Sequence, residues 1–275
     1  MNSPDELYNK LVRHIRGMNN ACVAFSGGID STLLLHAADE ALGDAFEAVT
    51  VRGMMIPSEE TIHAADYARS NGFKHSLIDL DFSLFPEFIK NDNLRCYHCK
   101  KAIFTAILLH SSSRNISNVI EGSHTADIND YRPGMRALKE LGIRSPFIET
   151  GLGKNDIIEI SRAIKLRGYD RPSSSCLATR IEYGTSIDPG QLLQIHTAEN
   201  ALSSLGFRQV RIRAHGSIAR IEVDPGQISR LLQDELRSSI ITAIKSAGFS
   251  YAALDLEGYR QGSMNSGISG VHDEQ

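Results

Sequence analysis

The chain has 275 residues, of which 41% are hydrophobic and 23% charged, with a formal net charge of −4. This length suits one large or two modest domains with a real hydrophobic core. The near-average composition excludes disorder, collagen and coiled-coil architectures for the whole chain. The mildly acidic balance argues against a protein that coats nucleic acid.

The first residues lack the basic region and apolar stretch of a secretory signal, and no apolar run approaches the ~20 residues that cross a bilayer. We therefore expect a cytoplasmic protein with no membrane partner. In a reducing compartment the four cysteines are not expected to form structural disulfides. Cys22 falls in a predicted strand, Cys96 and Cys99 form a Cys-x-x-Cys pair, and Cys176 follows three serines.

Hydrophobic periodicity predicts alternating helices and strands over the first two thirds of the chain. The predicted elements, in order, are helix 5–17, strand 21–25, helix 31–42, strand 46–51, helix 58–71, strand 73–80, helix 100–110, strand 118–122, helix 134–141, strand 144–148 and helix 155–167. An irregular stretch before residue 100 holds the Cys96/Cys99 pair. This alternation predicts a doubly wound parallel sheet covered by helices.

A loop rich in glycine, proline and serine follows at 168–175, and the order of elements then changes. The predicted elements are helix 189–205, strand 209–215, strand 218–223, helix 226–247 and strand 251–256. We expect an α/β domain at 1–170, a smaller α+β domain with an antiparallel component at 171–258, and a disordered tail at 259–275.

A glycine turn, Ser26-Gly27-Gly28-Ile29-Asp30-Ser31, connects the first strand of the predicted sheet to a helix. Doubly wound folds bind phosphates at this position. The glycines let the backbone approach an anion, the helix N-terminus offers free N–H groups, and the two serines add hydroxyl donors. The turn has neither the lysine of the common nucleotide hydrolases nor the Gly-x-Gly-x-x-Gly of dinucleotide folds. An ordinary capped glycine turn is the alternative to phosphate binding.

The whole string resembles the pyrophosphate loop (PP-loop) of the adenine-nucleotide α-hydrolases, which split ATP into AMP and pyrophosphate. Further segments are similar to the LarE family of ATP-dependent sulfur transferases, which act in nickel-pincer nucleotide cofactor biosynthesis. These segments are RCYHCKK (95–101), EGSHTAD (121–127), DYRPG (130–134), SCLATR (175–180) and YG (183–184). The resemblance covers about residues 5–258 and implies a PP-loop ATP pyrophosphatase sheet.

The resemblance also implies a reaction. A carboxylate of pyridinium-3,5-biscarboxylic acid mononucleotide is adenylated, and sulfur then displaces AMP to give a thiocarboxylate. Activation of this kind is needed because a carboxylate resists nucleophiles.

ATP and Mg²⁺ are the implied ligands of the first domain. The residues expected to bind the nucleotide are Ser26, Gly27, Gly28, Asp30, Ser31, Gly122 and Lys154. A turn glycine and a solvated lysine are the alternatives for Gly122 and Lys154. Asp127 and Asp130 are candidates for Mg²⁺, although helix capping and arginine pairing explain such residues equally well.

Cys176 is the expected catalytic residue. In the sacrificial branch of the family, the cysteine of this loop attacks the adenylated substrate, and cleavage of its Cβ–S bond leaves dehydroalanine. Arg171 and Arg180 would lower its pKa if they lie close. A buried, inert thiol is the alternative.

Cys96 and Cys99 have three interpretations: half of a metal site, a redox dithiol, or a chance pair. With Cys176 they would suit a [4Fe–4S] cluster with one open iron, on which some related sulfur transferases carry a sulfide. The two mechanisms conflict, because a cluster ligand is reusable and a sacrificial donor is consumed. We favour the cluster, since a purely sacrificial enzyme has no evident use for the pair.

The second domain is expected to hold the substrate. Arg211 and Arg213 share one face of a strand by period two, and a phosphate-bearing substrate needs such donors. The resemblance places Arg180 with them, and Glu199 and Glu222 at a divalent-ion site. Solvated strand-face charges are the alternative.

Two rival functions remain open from the sequence. On the same scaffold, the chain would be a transfer-RNA thiolase or an amide-forming synthetase, although its net charge and the lack of a glutaminase half argue against these. A non-catalytic protein that senses ATP or redox state is the rival of another class. We expect a small-molecule nucleotide partner, no nucleic acid, and a homo-oligomer.

Overall fold

The computed structural model describes residues 3–127, 133–166 and 175–260. The α-helices of these ranges are α1 (Pro4–Arg16), α2 (Ile29–Leu42), α3 (Ser58–Ser70), α4 (Pro86–Ile89), α5 (Arg95–Ser113), α6 (Pro133–Glu140), α7 (Pro146–Thr150), α8 (Lys154–Ala163), α9 (Pro189–Ser204), α10 (Ile228–Leu231) and α11 (Asp234–Ser246). The strands are β1 (Ala21–Ala24), β2 (Phe46–Arg52), β3 (His75–Asp79), β4 (Val119–Ile120), β5 (Val210–His215), β6 (Ile218–Val223) and β7 (Tyr251–Leu254).

Contacts divide the chain into two compact units. The first unit holds the described residues up to Phe85 and from Leu94 to residue 166, and the second holds Pro86–Asn93 and the described residues from Ser175 onward. The short segment Pro86–Asn93 therefore belongs to the second unit although it interrupts the first along the chain. The predicted boundary at 170/171 lies outside the described residues, and so does the predicted tail 259–275 from residue 261 onward. Tyr259, at the start of that predicted tail, donates its N–H to the Val223 carbonyl oxygen at 2.8 Å.

The first unit is built on a four-stranded parallel sheet in the order β3-β2-β1-β4. In the register, Cys22 of β1 lies between Glu47 of β2 and Val119 of β4. The chain winds outward from β1 to β3, and then returns to place β4 on the opposite side of β1. The predicted α/β class with a parallel sheet is confirmed, and its winding direction reverses between β1 and β4.

Helices cover both faces of this sheet because neighbouring strand residues point to opposite sides. On one face, Val23 packs into a core with Leu11 and Ile15 of α1, which are spaced by four and fully buried. On the other face, Cys22 packs into a second core that includes Phe104 of α5. Two buried faces explain why the strands read as nearly continuous apolar runs.

The second unit contains a three-stranded sheet in the order β5-β6-β7. Strands β5 and β6 are antiparallel, with Arg211 opposite Glu222, whereas β6 and β7 are parallel. Helix α9 packs against β5, and α11 packs against β7 and α9. The predicted antiparallel component is confirmed.

The predicted strand at 144–148 is wrong. Arg144 makes only an isolated bridge to Ile120, and α7 begins at Pro146. Proline is favoured at the first position of a helix, because its fixed φ suits the helix and its missing N–H would have no helical partner there. Of the apolar residues that suggested a strand, Phe147 is instead a fully buried residue of this short helix.

Two predicted helices have different bounds. Helix α5 begins at Arg95 rather than near residue 100, so Cys96 and Cys99 lie inside its first turns and not in an irregular stretch. The predicted helix 226–247 is broken into α10 and α11, and Asp234 and Glu235 in the first turn of α11 favour a new helix start there. Within the described ranges, no helix combines the length and apolar character needed to span a membrane.

Candidate functional site

The candidate site of the first unit lies where β1 and β4 end. Open α/β sheets bind ligands outside the carboxyl ends of their strands, at the point where the winding direction reverses. Here β1 leads into the glycine turn at Ser26, and β4 leads into Glu121 and Gly122. The topology therefore brings two segments that the sequence singled out to one edge of the sheet.

Serine side chains and a left-handed glycine shape the turn. Gly27 has φ +78°, a conformation that L side chains rarely adopt. The Ser26 and Ser31 hydroxyls lie 3.1 Å apart, and Ser31 Oγ donates to the Gly28 carbonyl oxygen at 3.0 Å. Gly28 is the N-cap of α2 and has no side-chain cap, so the first N–H groups of α2 are open to an anion.

Gly122 packs directly on the first turn of α2. A Cβ atom at this position would lie 3.2 Å from the Ser31 backbone nitrogen and 3.3 Å from the carbonyl carbon and Cβ of Asp30. Two of these neighbours are backbone atoms, which would have to shift by a few tenths of an ångström to admit a Cβ. Glycine therefore favours the close packing of the β4 end against the turn.

Lys154, the first residue of α8, reaches the same turn. Its Nζ donates to Asp30 Oδ1 at 2.6 Å. The lysine ammonium thus lies beside the open N-terminus of α2, where an anionic ligand would meet both. The side chain is about 40% exposed, so a ligand entering from solvent can contact it.

A cleft of about 370 Å³ opens at this edge and is large enough for a small-molecule ligand. Its apolar lining includes Phe25, Val49, Val51, Ile103 and Phe104, and its polar lining includes Ser26, Asp30, Ser31, Lys100, Glu121, Ser123 and Asp127. An apolar side next to anion-binding groups suits a ligand with a planar base and phosphates.

Glu121 is a cleft residue to which the sequence analysis gave no role. Its buried carboxylate accepts hydrogen bonds from Ser123 N (3.0 Å), Ser123 Oγ (2.8 Å) and Ser145 Oγ (2.5 Å), and Lys100 Nζ lies 3.9 Å away. A signal was available, since Glu121 directly follows a strand of the parallel sheet on the ligand-binding edge.

Asp127 also lines the cleft and is buried. Its Oδ2 accepts the His124 backbone N–H at 2.9 Å and lies 3.5 Å from His124 Nδ1. Helix capping, the alternative to a Mg²⁺ ligand, therefore accounts for one of the contacts of Asp127. Asp130, the other Mg²⁺ candidate, lies outside the described residues.

Cys176 lies in the second unit, at the start of a short 3₁₀ helix (Leu177–Arg180), and is partly exposed. Arg180 organises this turn. Its Nη1 donates to the carbonyl oxygens of Ser175 (2.9 Å) and Cys176 (3.0 Å), while Nε and Nη2 form a bidentate pair with Glu199 at 2.9 and 3.0 Å. The predicted alternative of a buried thiol does not describe Cys176. Arg171, its other expected neighbour, lies outside the described residues.

Of the predicted substrate arginines, Arg213 contacts this turn and Arg211 lies near enough to Arg180 to feel its charge. Arg213 donates from Nη1 to the Thr179 carbonyl oxygen at 3.0 Å and from Nη2 to the buried Glu222 at 2.7 Å. Burial, and then the nearby Arg180 charge, lowers the pKa of Arg211. Arg211 and Arg213 therefore belong to a partly or fully buried group of charged side chains. The alternative, solvated charges on a strand face, does not describe them. The carboxylates of Glu199 and Glu222 are paired with arginines.

Cys96 and Cys99 lie one turn apart at the start of α5 in the first unit, and neither forms a disulfide bond. Within the described ranges, no three His, Cys, Asp or Glu side chains lie close enough together to hold a metal ion. Cys22, the fourth cysteine, is fully buried in the sheet, and burial raises its pKa to about 12.

The chain is similar in sequence to known proteins over most of its length. No family model matches it. The uncharacterized protein slr1717 of Synechocystis sp. is 35% identical over 248 residues, which cover 90% of this chain and 92% of that protein. The uncharacterized protein MJ0830 of Methanocaldococcus jannaschii is 30% identical over 238 residues, 86% of this chain and 90% of that protein.

A third relative carries a functional name. The pyridinium-3,5-bisthiocarboxylic acid mononucleotide synthase of Lactiplantibacillus plantarum is 34% identical over 257 residues, which cover 93% of this chain and 92% of that protein. The parallel sheet and its cleft are those of an α/β protein that binds ligands where the strand order reverses. Similarity over nearly the whole length shows further that the chain belongs to the family of this synthase, the LarE family.

Proposed function

We propose that this protein is an ATP-dependent sulfur transferase that converts a carboxylate of pyridinium-3,5-biscarboxylic acid mononucleotide into a thiocarboxylate, in nickel-pincer nucleotide cofactor biosynthesis. The observation that carries the proposal is the PP-loop-like turn at the switch point, with Lys154 beside the open N-terminus of α2. The name of the Lactiplantibacillus plantarum relative supports the substrate and product.

The first step is adenylation. A carboxylate oxygen of the substrate attacks the α-phosphorus of ATP, the new O–P bond forms, and the bond to the β-phosphate oxygen breaks to release pyrophosphate. Charge develops on the leaving pyrophosphate, so the α2 N–H groups, Ser26, Ser31 and Lys154 stabilise it best in the transition state. The apolar lining around Phe25 and Phe104 takes the adenine base.

Mg²⁺ fits the polar side of the cleft. This ion is typically bound by one or two carboxylates together with substrate phosphates, and Asp30 and Asp127 both line the cleft. These two residues would hold it. Bound Mg²⁺ would neutralise phosphate charge as pyrophosphate leaves.

The second step is sulfur transfer. A sulfur nucleophile attacks the carbonyl carbon of the acyl adenylate, the C–S bond forms, and the C–O bond to AMP breaks. In the sacrificial route the nucleophile is the Cys176 thiolate. The resulting thioester then loses the Cα proton of Cys176, its Cβ–S bond breaks, and a thiocarboxylate and dehydroalanine remain.

The iron–sulfur route would use Cys96 and Cys99, which present two thiols one helical turn apart. Within the described ranges no third donor joins them. The iron–sulfur route remains a prediction, which an iron count and the protein mass after turnover would decide.

The proposal is tested by incubating the purified protein with ATP, Mg²⁺ and pyridinium-3,5-biscarboxylic acid mononucleotide. We expect AMP and pyrophosphate only when the mononucleotide is present, together with a thiocarboxylate detected by mass spectrometry. Cys176→Ala is expected to retain AMP formation and lose the thiocarboxylate, because the thiol acts only in the second step. ADP and phosphate as the nucleotide products, or no reaction at all, would contradict the proposal.

A further inference from the structure

Asn91 lies far from Cys176 along the chain but in the same unit, where its side chain is fully buried. It follows the short helix α4, and its N–H donates to the Phe88 carbonyl oxygen at 3.1 Å. Its φ of +56° lies in the left-handed region, which asparagine tolerates better than most residues. A buried asparagine in this conformation is held by specific partners.

Those partners belong to the loop that follows the Cys176 turn. Asn91 Nδ2 donates to the carbonyl oxygens of Glu182 (2.9 Å) and Thr185 (2.8 Å), which uses both amide hydrogens. In return, the Asn91 carbonyl oxygen accepts the Gly184 N–H at 2.9 Å. These three bonds span a tight turn in which Thr185 N donates to the Glu182 carbonyl oxygen at 3.1 Å.

The turn Glu182–Thr185, which Asn91 holds, directly follows the turn that carries Cys176 in the chain. Ile181 joins the two and forms an isolated bridge to Ala214 of β5. Upstream of Ile181, Arg180 holds the carbonyl oxygens of Ser175 and Cys176. Downstream, the three hydrogen bonds of Asn91 hold the chain. Ile187 N adds a further bond to the same segment by donating to the Ile89 carbonyl oxygen at 2.8 Å.

We infer that Asn91 is a positioning residue for Cys176, an inference that rests on the sulfur-transfer role proposed above. Without the amide, the carbonyl oxygens of Glu182 and Thr185 lose the Asn91 donor, and the chain downstream of Cys176 is held by fewer hydrogen bonds. A misplacement of about 1 Å at a reacting group can cost on the order of 100-fold in rate. The adenylation step uses the cleft of the first unit and is spared.

Two variants test this inference. Asn91→Asp has the same shape but removes both donors, and Asn91→Gly keeps the left-handed backbone without any side chain. Ser186→Ala is the matched control, because it removes a hydrogen bond from the same loop to the same segment, from Ser186 Oγ to the Ile89 carbonyl oxygen at 3.3 Å. Three quantities are measured: AMP formation, thiocarboxylate per AMP, and the rate of Cys176 alkylation by iodoacetamide.

We expect both Asn91 variants to lower thiocarboxylate per AMP by roughly tenfold or more, and to change AMP formation by less than about twofold. The Cys176 alkylation rate is expected to change severalfold in both, and not in Ser186→Ala. Equal losses of both products in an Asn91 variant, or unchanged thiocarboxylate per AMP, would overturn the inference.

The alkylation measurement separates this inference from the proposed function. If the wild-type protein forms neither AMP nor thiocarboxylate, the proposed function fails, and an Asn91-dependent Cys176 alkylation rate still supports the positioning role. An unchanged rate in both variants contradicts it. Cys22, which is fully buried in the first unit, reports the fold: its alkylation in both Asn91 variants would show a general structural role and would also overturn the inference.

Discussion

Lys154 Nζ lies 2.6 Å from Asp30 Oδ1, although the two residues are 124 positions apart in the sequence. This pair links the start of α8 to the first turn of α2. It places a cation at the one end of α2 where the backbone N–H groups have no helical partner. The ion pair itself is partly exposed, so its contribution to stability is small.

Lys154→Met is therefore expected to impair nucleotide binding more than folding. Hydrogen bonds to charged groups contribute about 1.5–3 kcal/mol, so kcat/KM for ATP should fall by roughly 10- to 100-fold. The control is Lys139→Met, which removes an exposed lysine of α6 outside the cleft lining. An unchanged kcat/KM with the melting temperature preserved would show that Lys154 stabilises neither the nucleotide nor the leaving pyrophosphate.

Gly122→Ala is expected to destabilise the first unit and to weaken ATP binding together. The added Cβ would lie 3.2–3.3 Å from backbone atoms of Asp30 and Ser31, closer than most Cβ contacts, and overpacking costs about 1–3 kcal/mol. Urea denaturation with and without a non-hydrolysable ATP analogue measures both effects. Gly17→Ala is the matched control, because its Cβ would lie 3.5 Å from the His14 carbonyl oxygen, an ordinary van der Waals contact. Equal stability of the two variants would contradict the prediction.

The source of sulfur is decided by mass and iron content. If Cys176 is consumed, the protein should lose about 34 Da in a single turnover, the mass of H₂S, as the thiol becomes dehydroalanine. If a cluster carries the sulfide, anaerobically reconstituted protein should bind iron, and Cys96→Ala should lose the brown chromophore while the protein mass stays constant through turnover. Iron-free protein that loses this mass would exclude the cluster.

Stability is expected to fall as the pH drops below about 6.5. Burial lowers the pKa of His36 and of His75 from 6.5, so both remain neutral in the folded chain while the unfolded chain takes up protons. Each such proton costs the folded state about 1.4 kcal/mol per pH unit, between the unfolded and the folded pKa. Above pH 6.5 both groups are neutral in both states, and the effect vanishes.

The experiment is urea denaturation at pH 7.5, 6.5 and 5.5. His75→Gln should reduce the pH slope, because glutamine does not titrate and can still donate to Thr50 Oγ1, which lies 2.8 Å from His75 Nε2. His63→Gln, an exposed histidine of α3, is the control and should leave the slope unchanged. A slope in His75→Gln equal to that of the wild type would refute the assignment.

The sequence by itself predicted the parallel sheet, the antiparallel element of the second unit and the turn at Ser26–Ser31, because periodicity and glycine turns are local signals. It also pointed to LarE family membership, which the comparisons confirm. It failed at Pro146, where an apolar run suggested a strand and a proline at the first helical position favoured a helix.

Only the tertiary structure decided which distant residues meet. Arg180 was expected near the substrate, but its full burial against Glu199 and the Cys176 carbonyl oxygen depends on packing between α9 and the 3₁₀ turn. Asn91 carries no signal in the sequence, since an asparagine after a short helix is ordinary and its partners lie about ninety residues away. Buried polar groups must find hydrogen-bond partners, and the folded chain, not the local sequence, determines which ones they find.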